Sequence, residues 1–403
     1  GDPLLPSRLM FRIPEERMPG RARQFWEGDG GPPDGSESPK ESQFKVPPEP
    51  EITLEEDEVP VALRVTDFKS LIADPYRFVL ERVRGLDSID DCARELDPLA
   101  FGTLAHDILH QFGLLALTSP PKVDVSDESD IARVLKDLLI AEVSTRFGKG
   151  ALPAVHIQAE QLQARLRAFA TEQAEWAAKG WRIVAVECEA DGEGVPFDVD
   201  DTPILLRGRI DRIDHNPKTG EWAVLDYKTS DSVDPPEKSH RKNKNKKELA
   251  EELGISNFAE LTKQELVDSI QEAGGDDGHW VDLQLPLYRQ LLSGIMDEQG
   301  RQLVSDETDK IWLGYVYLPK NLDKSEFVVA DWSKKKLEFA EEAARDAVRH
   351  LRKRIFKFDA NVTKPSWFGR DTLKPLLTKG WQVTREGEGA PSEDGSSEKE
   401  SEQ

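Results

Sequence analysis

The sequence has little cysteine, no long apolar run and no recognisable targeting segment. Its two cysteines, Cys92 and Cys188, exclude a disulfide framework and any zinc or iron–sulfur site that needs four cysteine ligands. No run of about 18 apolar residues is present, which excludes a transmembrane helix of the usual kind. No basic segment followed by an apolar one indicates secretion. We therefore expect a cytoplasmic protein without a membrane partner.

The acidic charge of the chain is concentrated in two segments. The 403 residues include 54 Lys and Arg against 77 Asp and Glu, a net charge of −23. Residues 27–58 hold eleven acids against two lysines, and residues 384–403 hold seven acids against two basic residues. Both segments are rich in Gly, Pro, Ser and Glu, a composition typical of disordered linkers. The remaining charge is ordinary, so a nucleic-acid partner is not excluded, although no large basic field would attract it.

These composition changes predict the domain organisation. Because the chain begins with Gly1, we expect residues 1–27 to be the end of a preceding domain, or a segment that docks on the main body. Residues 28–60 form an acidic linker, and residues 382–403 form an acidic tail. The main domain spans residues 61–381 and contains a basic helical insertion at residues 234–279.

Hydrophobic periodicity predicts an α/β fold with helical additions. Apolar residues recur at helical spacing through much of residues 67–180. The pattern then becomes strand-like, with turn residues 216–220 between two strands that we expect to form an antiparallel hairpin. The predicted strands are 181–187, 204–214, 222–228, 311–318 and 327–329. The predicted later helices are 281–296 and a closing helix at 334–358.

The predicted hairpin brings two acids and one amine together. If its turn is centred near Lys218 and Thr219, Asp211 lies opposite Asp226, with Cβ atoms about 4.5–5.5 Å apart. Two carboxylates that close repel each other unless a cation lies between them. Strand alternation also puts Lys228 on the face of Asp226. Hard oxygen ligands suit Mg²⁺ or Mn²⁺, and such an ion next to an ammonium group is what phosphodiester hydrolysis needs.

An ordered set of motifs resembles the PD-(D/E)XK nuclease superfamily, and within it the RecB/AddB-like branch, over roughly residues 61–380. The resemblance implies a restriction-endonuclease-like core, which is a central mixed sheet flanked by helices. The motifs that carry it are Asp67-Phe68-Lys69 to Asp74-Pro75-Tyr76-Arg77-Phe78, the helix Phe101-Gly102-Thr103-Leu104-Ala105-His106, Gly208-x-x-Asp211, Asp226-Tyr227-Lys228 and Gln284-Leu285-Pro286-Leu287-Tyr288.

The resemblance also implies roles for individual residues. Lys228 would position or deprotonate the attacking water. Gln284 and Tyr288 would organise the site and contact the nucleic-acid strand. Glu187 would be either an outer metal ligand or a partner for Lys228. The implied ligands of Mg²⁺ or Mn²⁺ are His106, Asp211, Asp226 and the carbonyl of Tyr227.

The sequence departs from the AddB-like pattern at two places. Nucleases of that type usually carry one cysteine before the proline of the opening helix and three near the C-terminus, which hold an iron–sulfur cluster. Asp74 occupies the first position here, and neither cysteine lies in such a place, so we predict no cluster. The connection between Thr229 and Trp280 is also unusually long. It contains the basic run 240–247 and two short helical segments, which together resemble SAP or Rho N-terminal modules that bind nucleic acid.

Other interpretations of these residues remain open. His106 could be a buried histidine on an apolar helix, and the basic run could be a solvated loop. Asp226 and Lys228 could be a surface ion pair, but Val224 and Leu225 indicate a buried strand, where unneeded charges are costly.

The resemblance implies a metal-dependent DNA exonuclease that acts on single strands or duplex ends in recombination and repair. It would be the C-terminal part of a helicase–nuclease, and a second helicase–nuclease subunit is a further partner that the resemblance implies. Residues 3–9 resemble the passage from helicase to nuclease in AddB-type proteins. Since no G-x-x-x-x-G-K-[ST] motif occurs in the chain, the ATPase would lie upstream. The alternatives are a catalytically idle DNA-binding or scaffolding module, and a stand-alone CRISPR- or RNA-associated nuclease.

Overall fold

The computed structural model describes residues 51–86, 96–148, 152–190, 192–305, 308 and 310–358. The predictions for residues 1–27 and 382–403, and for most of the linker, lie outside them. No helix within these ranges combines the length and the apolar character needed to cross a membrane. The strands are β1 (Glu51–Thr53), β2 (Ala62–Arg64), β3 (Arg182–Glu189), β4 (Val195–Phe197), β5 (Ile204–Arg207), β6 (Arg209–Asn216), β7 (Glu221–Lys228), β8 (Arg241–Asn243), β9 (Gly278–Trp280), β10 (Ile311–Tyr317), β11 (Glu326–Val329) and β12 (Ile355–Lys357).

The helices are α1 (Asp67–Ala73), α2 (Pro75–Phe78), α3 (Pro98–Leu117), α4 (Glu128–Phe147), α5 (Pro153–Ala178), α6 (Pro236–His240), α7 (Lys246–Glu252), α8 (Lys263–Glu272), α9 (Gln284–Leu291) and α10 (Lys334–Arg352). Three long helices, α3 to α5, precede the central strands, and one further long helix, α10, follows them. A π-helical turn, Val79–Val83, follows α2. Short 3-10 turns cover Glu56–Glu58, Leu292–Gly294 and Leu322–Lys324.

A mixed five-stranded sheet in the order β11-β10-β7-β6-β3 forms the centre of the fold. Only β10 and β7 run parallel; the other neighbours are antiparallel. The pairs from Arg212↔Leu225 to Asn216↔Glu221 confirm the predicted hairpin and its register. This sheet with its flanking helices confirms the predicted α/β class.

Alternation along β7 divides the core into two halves. Leu225 and Tyr227 pack with the apolar faces of α3, α4 and α5, and Val224 packs with α9 and α10 on the other side of the sheet. Each helix buries one apolar stripe, and in α3 this stripe comprises Leu104, Ala105, Ile108, Leu109 and Phe112. The sheet therefore holds β6 and β7 rigidly between two apolar layers.

The predicted strand 204–214 is wrong in one respect, because it is two strands that belong to different sheets. β5 pairs with β2 and β4, whereas β6 belongs to the central sheet. The break falls at Gly208, where a Cβ atom would lie 2.8 Å from Leu291 Cδ1 and 2.9 Å from Val65 Cγ2. At Gly208 the backbone passes from one sheet to the other so close to Leu291 and Val65 that only glycine fits.

Two further boundaries differ from the predictions. The closing helix ends at Arg352 rather than near residue 358, because Arg354 has φ = +63° and residues 355–357 form β12. β12 pairs with β1, which lies inside the predicted linker 28–60. Leu54, just after β1, is buried in the core. The folded part therefore extends about ten residues further towards the N-terminus than composition indicates.

The insertion forms a small unit on a two-stranded neck. Strands β8 and β9 pair from Arg241↔Trp280 to Asn243↔Gly278. Helices α7 and α8 each begin with a capping box, and they share the buried residues Leu249, Ala250, Leu266 and Ile270. The two predicted short helices are thus confirmed.

Candidate active site

The predicted site residues of the central strands lie at one edge of the sheet. Asp211 is near the start of β6 and Asp226 near the end of the antiparallel β7, just beyond the pair Arg212↔Leu225. On the other side of β6, Glu187 lies between the pairs Val186↔Arg212 and Cys188↔Ile210. Antiparallel pairing therefore places three acids from three neighbouring strands side by side.

His106 reaches this edge from α3. Its Nδ1 is 3.3 Å from Asp211 Oδ2, and its Nε2 is 3.1 Å from the carbonyl oxygen of Tyr227. The backbone N–H of Tyr227 donates to the same Asp211 oxygen at 2.9 Å. Potential ligand atoms of His106, Glu187 and Asp211 all lie within 4.8 Å of one another. Four of the predicted groups, including the Tyr227 carbonyl, therefore converge on one small volume.

Asp226 lies outside that group of three and is held by another set of side chains. Its Oδ1 accepts hydrogen bonds from Gln284 Nε2 at 2.6 Å and from the Tyr288 hydroxyl at 3.1 Å. Its Oδ2 is 2.7 Å from Lys228 Nζ, which also donates to Gln284 Oε1 at 3.4 Å. Gln284 and Tyr288 therefore organise Asp226 and Lys228 in the arrangement that the resemblance implies.

Glu187 has an unusual backbone conformation. Its φ of +50° is uncommon for a residue with a side chain and is often found at functional sites. Its carboxylate forms an ion pair with Arg209, whereas Lys228 is paired with Asp226. Of the two roles that the sequence leaves open, this geometry favours that of an outer metal ligand.

Burial and mutual charge shift the proton equilibria of the site. Burial lowers the pKa of His106, but the hydrogen bond to Asp211 and the charges of Asp211 and Asp226 outweigh it and raise the pKa to about 9. Burial and the charge of Asp211 raise the pKa of Glu187 to about 7. Burial also raises the pKa of Asp226 above its ordinary value. The site thus holds extra protons that a metal ion would displace.

The donor set fits a hard divalent cation. The carboxylates and the backbone carbonyl are oxygen ligands that suit Mg²⁺ or Mn²⁺, and the imidazole of His106 is the one nitrogen ligand beside them. The buried oxygens Glu187 Oε2 and Asp226 Oδ2 accept no hydrogen bond from the described residues, although each lies beside a cationic side chain. In the metal-free site, Arg209 and Lys228 are therefore the cations that compensate these two buried oxygens.

The family comparison agrees with this geometry. Residues 63–250 match the family model of the PD-(D/E)XK nuclease superfamily. The matched segment runs from β2 into α7, so it includes His106, Glu187, Asp211, Asp226 and Lys228 but ends before Gln284 and Tyr288. PD-(D/E)XK proteins are typically metal-dependent nucleases. A search of curated proteins finds no match.

Sequence reasoning missed a layer of residues behind the candidate site. Asp282 Oδ1 accepts from the backbone N–H of Gln284 at 3.0 Å, and its Oδ2 is 2.8 Å from Lys69 Nζ. Lys228 Nζ lies 4.8 Å from the centre of the Tyr315 ring. Asp282 gave no capping signal, because the N-cap position of α9 is occupied by Leu283. Tyr315 lies on β10 and meets Lys228 only through the parallel pairing of β10 with β7.

The basic run of the insertion is largely neutralised within the insertion itself. Arg241 pairs with Asp276 and Asp277, and Lys244 pairs with Glu252. The segment 241–280 contains six Lys and Arg against nine Asp and Glu. The prediction that the insertion is basic is therefore wrong for the unit as a whole, and its charge does not favour a DNA clamp.

Proposed function

We propose that this protein is a Mg²⁺- or Mn²⁺-dependent deoxyribonuclease of RecB/AddB type. The observation that carries the proposal is the convergence of His106, Glu187, Asp211 and the Tyr227 carbonyl beside the Asp226–Lys228 pair. A lone ion pair on a strand needs none of these neighbours. Phosphodiester hydrolysis by a bound metal and an adjacent ammonium group uses ligands and a cation in an arrangement of this kind.

The residues of the site divide the work between two adjoining groups. His106, Glu187, Asp211 and the Tyr227 carbonyl would hold the metal, with Asp226 at its border. A divalent ion bound there lowers the pKa of a water molecule and neutralises charge on the phosphate. Asp226 keeps Lys228 at the site, and the charge of Asp226 outweighs burial and raises the pKa of Lys228. The charged ammonium group can therefore orient the attacking water and stabilise negative charge that develops on the phosphate.

The cellular role is proposed from the resemblance of the ordered motifs. Exonucleolytic cleavage of DNA ends, fed by an upstream helicase domain with a second helicase–nuclease subunit as a partner, fits the RecB/AddB-like branch. Such an enzyme would act in cytoplasmic DNA recombination and repair. The hydrogen bonds among Gln284, Tyr288 and Asp226 support this branch, since Gln-x-x-x-Tyr is one of its motifs.

Cleavage of end-labelled DNA tests the proposal. Single-stranded DNA, duplex DNA and RNA of the same sequence are incubated with Mg²⁺, Mn²⁺ or EDTA, beside the variants Asp211→Asn and Asp226→Asn. We expect cleavage of DNA that needs the metal and is lost in both variants. The matched control is Glu251→Gln, which removes an exposed acid of α7 and should leave cleavage unchanged.

The alternatives correspond to distinct outcomes of the same assay. Metal-dependent binding of DNA without cleavage would identify an idle binding module and overturn the proposed activity. Preferred cleavage of RNA would indicate the stand-alone RNA-associated nuclease instead. A circular single-stranded substrate separates the modes of attack, because an exonuclease leaves it intact.

A further inference from the structure

We propose that Arg209 binds a phosphate of the substrate and is released for this task when Glu187 takes up the metal. This inference rests on the proposed function and adds a residue to its site. Arg209 would act as a temporary counter-ion of Glu187 in the absence of metal and as a phosphate ligand in its presence. The two roles are linked because they compete for one guanidinium group.

The ion pair between Arg209 and Glu187 is markedly asymmetric. The Glu187 side chain is 8% exposed, whereas that of Arg209 is 58% exposed. The carboxylate is therefore fixed inside the site, and the guanidinium reaches it from the solvent side. Arg209 can leave this contact without opening the core, because most of its surface already faces water.

The position of Arg209 on β6 directs it to the reacting centre. Arg209 and Asp211 are two residues apart and so project from the same face of the strand. After burial, the charge of Arg209 is the largest influence that lowers the pKa of His110, one turn beyond His106 on α3. The guanidinium group is therefore close both to His110 of α3 and to Glu187.

Elementary electrostatics couples the metal to Arg209. A guanidinium group that stays protonated at any ordinary pH opposes the approach of a divalent cation to the same carboxylate. Conversely, a metal ion on Glu187 cancels the charge that holds Arg209. The released guanidinium is then the group best suited to bind a phosphate, because its planar donors match two phosphate oxygens.

The substrate needs such a cation near the site. A phosphodiester that approaches this edge of the sheet meets the acids Glu187, Asp211 and Asp226. Another nearby cation, Arg146, is already engaged by Asp107 and Glu142. The counter-ion of Arg209 is instead a potential metal ligand, so metal binding itself makes its charge available.

Titration of the protein with Mn²⁺ in the absence of DNA tests the first half of the inference. The proteins are the wild type, Arg209→Gln, Arg209→Lys, Glu187→Gln and the control Arg207→Gln, which removes an exposed charge two residues away. We expect Arg209→Gln to bind Mn²⁺ roughly three- to tenfold more tightly. Arg209→Lys and Arg207→Gln should stay near the wild-type affinity, and Glu187→Gln should bind more weakly.

Fluorescence anisotropy with labelled single-stranded DNA tests the second half, with and without Ca²⁺ under conditions without cleavage. Arg209→Gln should weaken DNA binding several-fold in Ca²⁺ and hardly at all in EDTA, where Glu187 retains the wild-type arginine. Unchanged Mn²⁺ affinity in Arg209→Gln, or an equal loss of DNA binding with and without Ca²⁺, would overturn the role of Arg209 alone. A wild-type protein that binds no Mn²⁺ would overturn the proposed function as well.

Discussion

Asp226 is surrounded by donors from two elements, which gives this one carboxylate a fixed orientation. Gln284 and Tyr288 of α9 bind Oδ1, and Lys228 of β7 lies beside Oδ2. Gln284 also donates to the Tyr288 hydroxyl at 2.7 Å. Helix α9 therefore acts on the reacting centre through Asp226 and Lys228. Removing a single hydroxyl or amide group of α9 should change the cleavage rate measurably.

Replacing Tyr288 with phenylalanine tests this dependence. The change removes one hydrogen bond to a buried charged group, a bond typically worth about 1.5–3 kcal/mol, so we expect the cleavage rate to fall about tenfold or more. Mn²⁺ affinity should stay near wild type, because Tyr288 is not a ligand. The control is Tyr76→Phe on α2, and equal rates for both variants would contradict the role of Tyr288.

The raised pKa values of His106 and Glu187 predict how metal affinity depends on pH. Metal ligands bind in their deprotonated form, and the two pKa values are about 9 and about 7. Mn²⁺ affinity should therefore rise steadily from pH 6 to pH 9. Calorimetry in two buffers of different ionisation enthalpy should also detect proton release. A pH-independent affinity would show that the metal displaces no proton from either His106 or Glu187.

The same protons link pH to stability in the metal-free protein. The folded chain binds more protons than the unfolded chain, from about pH 4.5 to 7 at Glu187 and from about pH 6.5 to 9 at His106. The free energy of unfolding should therefore fall as pH rises through these windows. Denaturant titrations in EDTA measure this fall, and the variant His106→Gln should show a smaller one above pH 6.5.

At the scale of elements, the packing of α3 on β3 sets the distance between His106 and Glu187. Gly113 lies two turns beyond His106, and a Cβ atom there would be only 2.5 Å from Val186 Cγ1, next to Glu187. This glycine therefore allows the helix to approach the strand that carries the predicted outer ligand.

Replacing Gly113 with alanine should separate the two elements. Because the β-branched Val186 side chain has little freedom to move, we expect a loss of about 1–3 kcal/mol in the free energy of unfolding, although alanine is the better helix former. Metal affinity should fall as well. The control is Leu99→Ala, at an exposed position of the same helix. An unchanged Gly113→Ala protein would show that α3 does not set the ligand distance.

The elements that follow local rules were predictable from sequence, and those that depend on tertiary contact were not. The β6–β7 hairpin followed from its turn residues, and its register brought Asp211 and Asp226 to the same edge. The break at Gly208 depends on Leu291 and Val65, which are distant in sequence. The left-handed conformation of Glu187 and its pairing with Arg209 likewise have no local signal. The resemblance implied that Gln284 and Tyr288 organise the site, but identifying Asp226 as their partner required the position of α9.

At the scale of the whole molecule, the net charge of the chain disfavours a polyanionic substrate. The net charge is −23, and the insertion carries more acids than bases. Affinity for DNA should therefore come from a few local cations, such as Lys228 and Arg209, rather than from a broad basic surface.

The salt dependence of DNA binding measures the number of those contacts. Two or three neutralised phosphates predict a slope of roughly −2 in a plot of log affinity against log salt concentration for single strands. Fluorescence anisotropy in Ca²⁺, measured over roughly 50–300 mM salt, gives this slope. A slope near −5 or steeper, roughly seven neutralised phosphates, would reveal a larger basic surface. It would contradict the expectation that only a few cations near the site bind DNA.

The paired strands β8 and β9 at the base of the insertion bear on how the chain could change in evolution. Strands β8 and β9 bring the two ends of segment 244–277 to within about 5 Å, the spacing of neighbouring strands. For the remaining polypeptide, the whole segment is thus equivalent to a tight turn, and its length adds little to the entropy of closing the fold. The core can tolerate gain, loss or exchange of this segment while Asp282 and Gln284 keep their places. Segments of different length or sequence can therefore be inserted between β8 and β9 without a change in the residues of the candidate active site.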